Sequence, residues 1–149
     1  MSNEIEFKLN TATENEVESF LTLCDKFYTP LLSSKVNIRE YANKITKNAE
    51  LFEAWGMDNL VGLVAVYCNN NDKKLSFVTN VSVLQEFQGR QIASRLIDNA
   101  ISHVKSIGFK SIELSVSSKN FIAIRIYIKK GFSPFSHTQD ESVMKMYLQ

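Results

Sequence analysis

The stretch Gln85–Leu96, QEFQGRQIASRL, joins an apolar run, FVTNVSVL, to the longest amphipathic segment of the chain. The run is rich in β-branched residues and predicts a strand, whereas apolar residues at the 3.6-residue period from Ile92 to Val104 predict a helix. A helix leaves its first N–H groups unpaired, and a Ser, Thr, Asp or Asn cap usually pairs one of them. No such cap stands at this junction. The sequence therefore predicts a strand leading into a helix whose first N–H groups are open to water or to an anion such as a phosphate.

Length and composition indicate one ordinary globular domain over residues 1–149. Apolar residues make up 44% of the chain and the formal net charge is +1, so no overall charge favours nucleic acid or an anionic membrane as partner. No run approaches the ~18 apolar residues of a membrane span, and the first residues lack the pattern of a secretory leader. We therefore expect a soluble, cytoplasmic protein. Cys24 and Cys68 show neither metal-ligand spacing nor a disulfide framework, so no metal is predicted.

The other segments predict an α/β or α+β arrangement. Apolar spacing behind a Thr13 cap predicts a first helix in TENEVESFLTLCDKF, and IREYANKITKNA predicts a second. ELFEAW and LVGLVAVYC are separated by the turn GMDN and predict a β-hairpin, and SIELSV after the long helix predicts another strand. The predicted order is helix, helix, three strands, helix, strand, helix, strand.

The segment NFIAIRIYIKKGF is locally ambiguous. Its isoleucines alternate as in a strand, while Ala123, Ile124, Tyr127 and Ile128 also fit one side of a helix. Asn120 before the segment and Gly131 after it are helix start and stop signals. We predict a helix, and because it is apolar all round we expect it to be buried on most sides.

Residues 81–132 resemble the catalytic core of the GNAT superfamily of N-acetyltransferases. The family's loop after a central strand has the pattern Arg/Gln-x-x-Gly-x-Gly/Ala, and residues 88–93 read QGRQIA. Its second motif, an Asn, an Ala, a Tyr and then Gly-Phe, matches Asn120, Ala123, Tyr127 and residues 131–132. The resemblance implies a mixed, mostly antiparallel sheet of six or seven strands flanked by about four helices and splayed at its central strands.

The resemblance also implies a site for acetyl-CoA as cosubstrate. The loop N–H groups would hold the pyrophosphate, a β-bulge would turn backbone groups of one strand toward the pantetheine arm, and Asn120 would bind that arm from the other side. The implied contacts are Val81, Ser82, Val83, Gln88, Gly89, Arg90, Gln91, Ile92, Ala93, Ser94, Asn120 and Tyr127. Gln91 replaces the usual glycine of the loop. A left-handed backbone there would cost about 1 kcal/mol or more, and we expect Gln91 to be helical instead.

The implied reaction is direct attack of an amine on the thioester, and it needs a proton donor and a proton acceptor. The resemblance assigns the acid to Tyr127, whose alternative role is a packing aromatic. No carboxylate lies on the strand FVTNVSV, so the base is Glu53, Glu113, His137 or water. Each of the three residues is also typical of an ordinary surface group, and His103 receives no role.

The amine acceptor belongs to the N-terminal part, where this family varies. The segment between the first two helices would roof an acceptor cleft lined by Phe27, Tyr28, Tyr41, Trp55 and Asn80, although the aromatics equally fit a core role. A resemblance to small acetyltransferases of surface-polysaccharide synthesis favours a nucleotide-linked amino sugar. A protein lysine or N-terminus and other small amines are alternatives, as is a non-catalytic acyl-CoA-binding module. The expected assembly is a monomer or homodimer.

Overall fold

A computed structural model describes residues 4–28 and 31–148. Two residues of the expected roof over the acceptor cleft, 29 and 30, lie outside the described residues. In chain order the elements are β1 Ile5–Leu9, α1 Glu14–Cys24, α2 Ile38–Asn48, β2 Ala49–Gly56, β3 Asn59–Tyr67, β4 Ser76–Val83, α3 Ile92–Ser106, β5 Ser111–Ser117, α4 Phe121–Lys130, β6 Ser133–His137 and β7 Glu141–Tyr147. Short 3₁₀ turns cover Asp25–Phe27, Leu32–Ser34 and Gln85–Phe87.

The seven described strands form one sheet in the order β1-β2-β3-β4-β5-β7-β6. All neighbours are antiparallel except β4 and β5, which are parallel. This confirms the mixed, mostly antiparallel fold class and the β2–β3 hairpin. The prediction from local patterns missed β1, although Ile5, Phe7 and Leu9 alternate with Glu6 and Lys8, and it placed one strand after α4 where there are two.

Helices cover both faces of the sheet and divide the core into two layers. One layer lies under α1 and α2, with Val17, Phe20, Leu21 and Ile45 at its centre. The other lies under α3 and α4. At Gly62 of β3 an added Cβ would stand 2.9 Å from Cγ2 of Ile92. Glycine therefore lets the first turn of α3 pack directly against β3, which fixes the start of that helix over the sheet.

The helix ends confirm the capping predictions. Thr13 closes a capping box at α1 together with Glu16, each side chain pairing with the other's backbone N–H. Asn120 caps α4 through Ala123, and Gly131 ends the helix in the left-handed region at φ 111°. Thus the ambiguous NFIAIRIYIKKGF segment is a helix, as its flanking signals predicted.

The expected burial of α4 on most sides is wrong. Its only buried residue is Tyr127, while Phe121, Ile122 and Ile128 point to solvent with 71%, 79% and 52% of their surfaces exposed. An apolar composition does not bury a helix unless the fold supplies a second layer over it, and among the described residues none covers the outer face of α4. No helix in the described part of the chain is long and apolar enough to cross a membrane.

Candidate active site at the separation of two central strands

The parallel strands β4 and β5 pair only at their first residues and then separate. The register runs from Ser76↔Ile112 to Val78↔Leu114 and stops there. On the other side of β4, Val66 pairs with Val78 and Ala65 with Asn80, so Thr79 is the extra residue of a β-bulge. The bulge bends β4 away from β5 and opens a gap in the middle of the sheet. The splay implied by the resemblance is therefore present, and it begins one residue before the stretch Asn80–Val83.

Backbone groups of Val81 and Val83 line this gap. Leu84 donates its N–H to the carbonyl of Val61 on β3 at 2.9 Å, and peptide groups alternate sides along a strand, so those of residues 81 and 83 face away from β3. The Val83 carbonyl accepts a hydrogen bond from the side-chain amide of Gln88 at 3.2 Å. Ser82 differs from its neighbours, because its side chain is buried on the α1/α2 side of the sheet, where it meets Asn80.

The loop before α3 shows that the expected helical conformation of Gln91 is wrong. Gln91 is left-handed, with φ 61° and ψ 23°, and its side chain does not cap the helix. Gly89 is also left-handed at φ 81°, and an added Cβ there would meet no atom within 4 Å. Left-handed residues placed this close together in a loop direct several backbone N–H groups to the same side, away from the protein. The backbone strain at Gln91 is therefore retained in the loop rather than avoided.

The first N–H groups of α3 are left open by the surrounding protein. Within the described residues no hydrogen bond is made by the backbone N–H groups from Gly89 to Ser94, and Arg95 is the first to bond back, to the Gln91 carbonyl. The Arg90 guanidinium stacks 4.9 Å from the Phe87 ring centroid. A cavity of about 380 Å³ opens here, lined by Ile5, Phe7, Arg90, Gln91, Ile92, Ser94, Arg95 and Asp98. The junction thus combines a helix start, open donors and two arginines, which suits an anion.

Tyr127 has a buried ring, and its hydroxyl has no hydrogen-bond partner in the described part of the chain. The residue is 7% exposed, packs edge-on against Phe132 and makes no hydrogen bond within the described residues. Burial raises the pKa of its phenol to about 12, so the hydroxyl keeps its proton at neutral pH. Seven residues earlier in the same motif, Asn120 uses its side-chain carbonyl oxygen to cap α4, accepting the Ala123 N–H at 3.1 Å. Its amide group is left with no partner in the described chain.

Three of the expected acceptor residues come together at the bulge. Asn80 donates to the Tyr28 hydroxyl oxygen at 3.1 Å, and Ser82 donates to the Asn80 carbonyl at 2.7 Å. Tyr41 donates to the Thr79 carbonyl at 2.8 Å. Burial raises the pKa of Tyr41 to about 12 and that of Tyr28 further above its ordinary range. The two tyrosines therefore bring neutral hydroxyls from the α1–α2 region onto β4.

Phe27 and Trp55 do not join that cluster. Phe27 is 44% exposed and lies under the Lys26 ammonium. Trp55 donates its indole N–H to Glu53 and lines another cavity, of about 550 Å³, between α1 and the β2–β3 turn. Tyr67 was not predicted as a site residue, and its hydroxyl is buried without a hydrogen-bond partner among the described residues. Its position at the end of an apolar strand carried no signal of function.

None of the three residues named as base lies at the separation of the strands. The expectation that Glu53 is a surface charge is wrong, because it is fully buried and accepts hydrogen bonds from Thr11, Ala12 and Trp55. Glu113 is paired with Lys145 at 3.4 Å. His137 is exposed on β6, the edge strand. His103 contacts Glu50 at 3.2 Å. Within residues 4–28 and 31–148 no group of three or more His, Cys, Asp and Glu side chains could hold a metal ion.

Comparison with known proteins agrees with this geometry. Residues 17–132 match the model of the acetyltransferase (GNAT) family. An uncharacterized N-acetyltransferase of Methanocaldococcus jannaschii is 28% identical over 96% of this chain and 65% of its own length. A mycothiol acetyltransferase of Actinosynnema mirum is 27% identical over 69% of this chain and 34% of its own length. The chain thus spans under two thirds of the length of both relatives. A GNAT family acetyltransferase of Elizabethkingia anophelis, solved with acetyl-CoA bound, superposes with a TM-score of 0.71 at 19% identity, covering 99% of this chain and 100% of that one.

Proposed function

Because the chain belongs to the GNAT family of acetyltransferases, we propose that it transfers an acetyl group from acetyl-CoA to an amine. The observation that carries the proposal is the separation of β4 from β5 after Val78, followed along the chain by the open start of α3. A strand edge inside a sheet can pair with an extended ligand, and a helix start can bind a phosphate. Acetyl-CoA has both parts in one molecule, since its extended pantetheine arm is joined to a pyrophosphate.

The proposed contacts to acetyl-CoA follow the chain from the gap to the helix. Backbone groups of Val81 and Val83 pair with the pantetheine arm, and the free amide of Asn120 binds it from the α4 side. The pyrophosphate lies on the open N–H groups of Gly89, Arg90, Gln91, Ile92, Ala93 and Ser94, whereas Gln88, the first residue of the motif, keeps its N–H on the Gln85 carbonyl at 3.2 Å. The open space around Gly89 supports this placement, because a phosphate needs close approach to the backbone. Arg90 adds a charge-assisted hydrogen bond.

The proposed reaction is a direct transfer. The amine nitrogen forms a bond to the carbonyl carbon of the thioester, the carbon–sulfur bond breaks, and the sulfur takes a proton from the Tyr127 hydroxyl. The nitrogen loses a proton to water, and Tyr127 regains one from solvent. N–H groups at the gap polarise the carbonyl as negative charge develops on its oxygen.

Two observations support Tyr127 as the acid. Its hydroxyl has no hydrogen-bond partner among residues 4–28 and 31–148, and its pKa of about 12 keeps it protonated. A free thiol has a pKa of about 8.5, so proton transfer from this phenol to a thiolate is uphill when taken alone. The acylated nitrogen then loses a proton that is much more acidic than the phenol, and this loss drives the overall reaction forward. Tyr127 therefore acts while the carbon–sulfur bond breaks, where a hydrogen bond to the developing charge lowers the barrier.

The proposed acceptor is a small amine, with a nucleotide-linked amino sugar preferred and a protein lysine or N-terminus as alternative. The hydroxyl and amide groups of Tyr28, Tyr41 and Asn80 at the bulge suit a polar acceptor with an apolar face. A second candidate function is a non-catalytic acyl-CoA-binding module, which the strained Gln91 and the lack of a carboxylate on β4 favour.

A panel of amines with thiol release as readout separates these possibilities. The panel contains an amino sugar, its nucleotide-linked form, a peptide with a free N-terminus, a lysine derivative and a polyamine. Calorimetric binding of acetyl-CoA is measured beside it. An enzyme binds acetyl-CoA and releases thiol with at least one amine. Binding without thiol release from any amine would favour the non-catalytic module, and absence of binding would refute both functions.

A further inference from the structure

A second cavity lies apart from the site described above. It has a volume of about 550 Å³ and opens between α1 and the turn that joins β2 to β3, and residues of the turn after β4 also line it. Small-molecule sites have volumes of about 300–1,000 Å³, so this cavity is large enough for a ligand of its own. We call it the α1 groove and define it by three aromatic and three acidic lining residues, Phe20, Trp55, Phe87, Glu16, Asp58 and Glu86.

The walls of the α1 groove are largely apolar. Phe20 and Leu60 are buried and belong to the core, and both also line the cavity. Leu23 and Met57 line the same cavity but keep 61% and 64% of their surfaces exposed. Single exposed apolar residues are ordinary on a protein surface, whereas two beside one aromatic cavity offer apolar area that a ligand would bury. We therefore expect the ligand to have an apolar body.

The charged groups of the α1 groove have one sign. Its lining contains the carboxylates of Glu16, Asp58 and Glu86 and, among the described residues, no Lys, Arg or His. The side chains of Asp58 and Glu86 make no ion pair within residues 4–28 and 31–148, and Glu16 accepts the Thr13 N–H with one oxygen. Burial and the negative charge of Glu86 raise the pKa of the Cys24 thiol to about 12, so this charge also acts at the end of α1. The groove therefore attracts a cation and repels an anion.

Two cations outside the lining contact the aromatic walls. The Lys8 ammonium lies 5.3 Å from the Trp55 ring centroid, and the Arg90 guanidinium lies 4.9 Å from that of Phe87. These two charges offset part of the negative charge, but three carboxylates still line the groove. Both contacts also show that the rings of this groove accept a cation over their faces.

We propose that the α1 groove binds a small organic cation with an aromatic or branched apolar body, at a site separate from that of acetyl-CoA. The apolar body lies against Phe20, Leu23 and Trp55, and the cationic group lies beside Asp58 and Glu86. Burial of apolar area supplies affinity, while the carboxylates discriminate against neutral and anionic analogues. This inference goes beyond the proposed function, because binding in the groove needs no acetyl transfer.

The α1 groove and the open start of α3 are neighbours without a shared lining residue. Phe87 lines the groove, and its ring carries the guanidinium of Arg90, which lines the cavity at the start of α3. None of the residues around one cavity lines the other. A cation in the groove and a phosphate at the helix start can therefore be bound together. Because their charges are opposite, neither should weaken the binding of the other.

Fluorescence titration tests the site, because Trp55 is the only tryptophan of the chain and lines the groove. The probe is benzyltrimethylammonium, whose quaternary nitrogen has no N–H and so cannot accept an acetyl group. Benzyl alcohol and phenylacetate are its neutral and anionic analogues. The cation should bind at least about tenfold more tightly than either analogue. Ligand-detected NMR repeats the three titrations without relying on tryptophan emission. Equal affinity for all three probes, or no saturable binding of the cation by either method, would overturn the inference.

Two charge variants have a matched control. Asp58→Asn and Glu86→Gln each remove one carboxylate of the groove, and asparagine tolerates the left-handed φ of 65° at position 58. Each should raise the Kd of the cation about two- to fivefold and leave that of benzyl alcohol unchanged. Glu18→Gln removes a carboxylate of α1 that does not line the groove and should change neither value. If Glu18→Gln weakens binding of the cation as much as Glu86→Gln does, the attraction is only that of overall charge and the inference is wrong.

An apolar variant and acetyl-CoA complete the test. Leu23→Ala shortens an exposed side chain and should weaken the cation and benzyl alcohol by the same factor, about two- to threefold, because the lost contact is apolar. Saturating acetyl-CoA should leave the Kd of the cation unchanged or lower it. A Kd that rises in proportion to the acetyl-CoA concentration would show one shared site and overturn the inference. A protein that binds the cation as expected but binds no acetyl-CoA would overturn only the proposed function.

Discussion

Replacing the buried carboxylate Glu53 by glutamine should destabilise the protein strongly without removing its chemistry. One carboxylate oxygen accepts the N–H groups of Thr11 and Ala12, both at 2.9 Å. The other accepts the Thr11 hydroxyl and the Trp55 indole N–H. An amide has only one acceptor oxygen, so Glu53→Gln loses two of these bonds and turns an NH₂ group toward two donors. Bonds to a charged group contribute about 1.5–3 kcal/mol each, so the expected loss is about 3–6 kcal/mol of unfolding free energy.

Urea denaturation followed by circular dichroism measures this loss. Glu16→Gln is the matched control, since Glu16 is exposed in a capping box that glutamine also forms, and it should change the stability by less than about 0.5 kcal/mol. Acetyl transfer is then measured at a temperature where Glu53→Gln is folded. A stability loss below 1 kcal/mol together with a 10²-fold or larger fall in kcat would refute the structural role and identify Glu53 as the base.

Four further predictions concern the proposed cosubstrate site. Gly89→Pro removes an N–H and cannot adopt φ 81°, so it should weaken acetyl-CoA binding at least tenfold in calorimetry. Arg90→Ala should weaken acetyl-CoA binding only about fivefold, since most phosphate contacts are to backbone. If both variants bind acetyl-CoA as tightly as the parent protein does, the proposed loop contacts are wrong. Gln91→Gly relieves about 1 kcal/mol of left-handed strain, partly offset by the entropy of glycine in the unfolded chain, so stability in urea should stay equal or rise slightly; a clear decrease would contradict the strain. Tyr127→Phe should lower kcat by ~10²–10⁴ with the dissociation constant unchanged, whereas Tyr147→Phe, which removes an exposed hydroxyl on β7, should not. The rates of both variants are also measured in a single turnover, because slow product release could hide a loss in the chemical step at steady state. Burial raises the pKa of Tyr127 to about 12, above about 10 in the unfolded chain. Its contribution to stability is therefore complete below pH 10 and is lost as the pH rises toward 12, and Tyr127→Phe should narrow the difference in urea midpoint between pH 9 and pH 11.

Local sequence signals predicted the elements whose ends are fixed by short-range hydrogen bonds. Thr13 and Asn120 cap their helices, and Gly131 ends α4, because each of these interactions spans only a few residues of the chain. The strand-to-helix junction was predicted as well, since the β-branched residues that end at Val83 give way to apolar residues at helical spacing from Ile92. Caps and periodicity are properties of neighbouring residues, so no tertiary information was required.

Predictions that depended on packing were the ones that proved wrong. The exposed face of α4, the buried Glu53 and the left-handed Gln91 are each decided by what other elements bring to that position. Glu53 is buried because the turn before α1 supplies donors from more than 40 positions away in the chain. Gln91 is left-handed at the point where the loop from β4 enters α3, whose first residue, Ile92, packs against Gly62 of β3.

The sequence alone determined the order of most elements, the helix caps and the two motifs that carry the family resemblance, because these follow from residues close together in the chain. Only the tertiary structure decided where the site opens and what surrounds it. The gap exists because β4 is held by β3 on one side and released by β5 after Val78 on the other. The polar groups at its end meet because Tyr28, from the turn after α1, reaches Asn80 on β4, 52 positions later. Such contacts depend on how helices and strands pack together, and residues that are neighbours in the sequence carry no information about that packing.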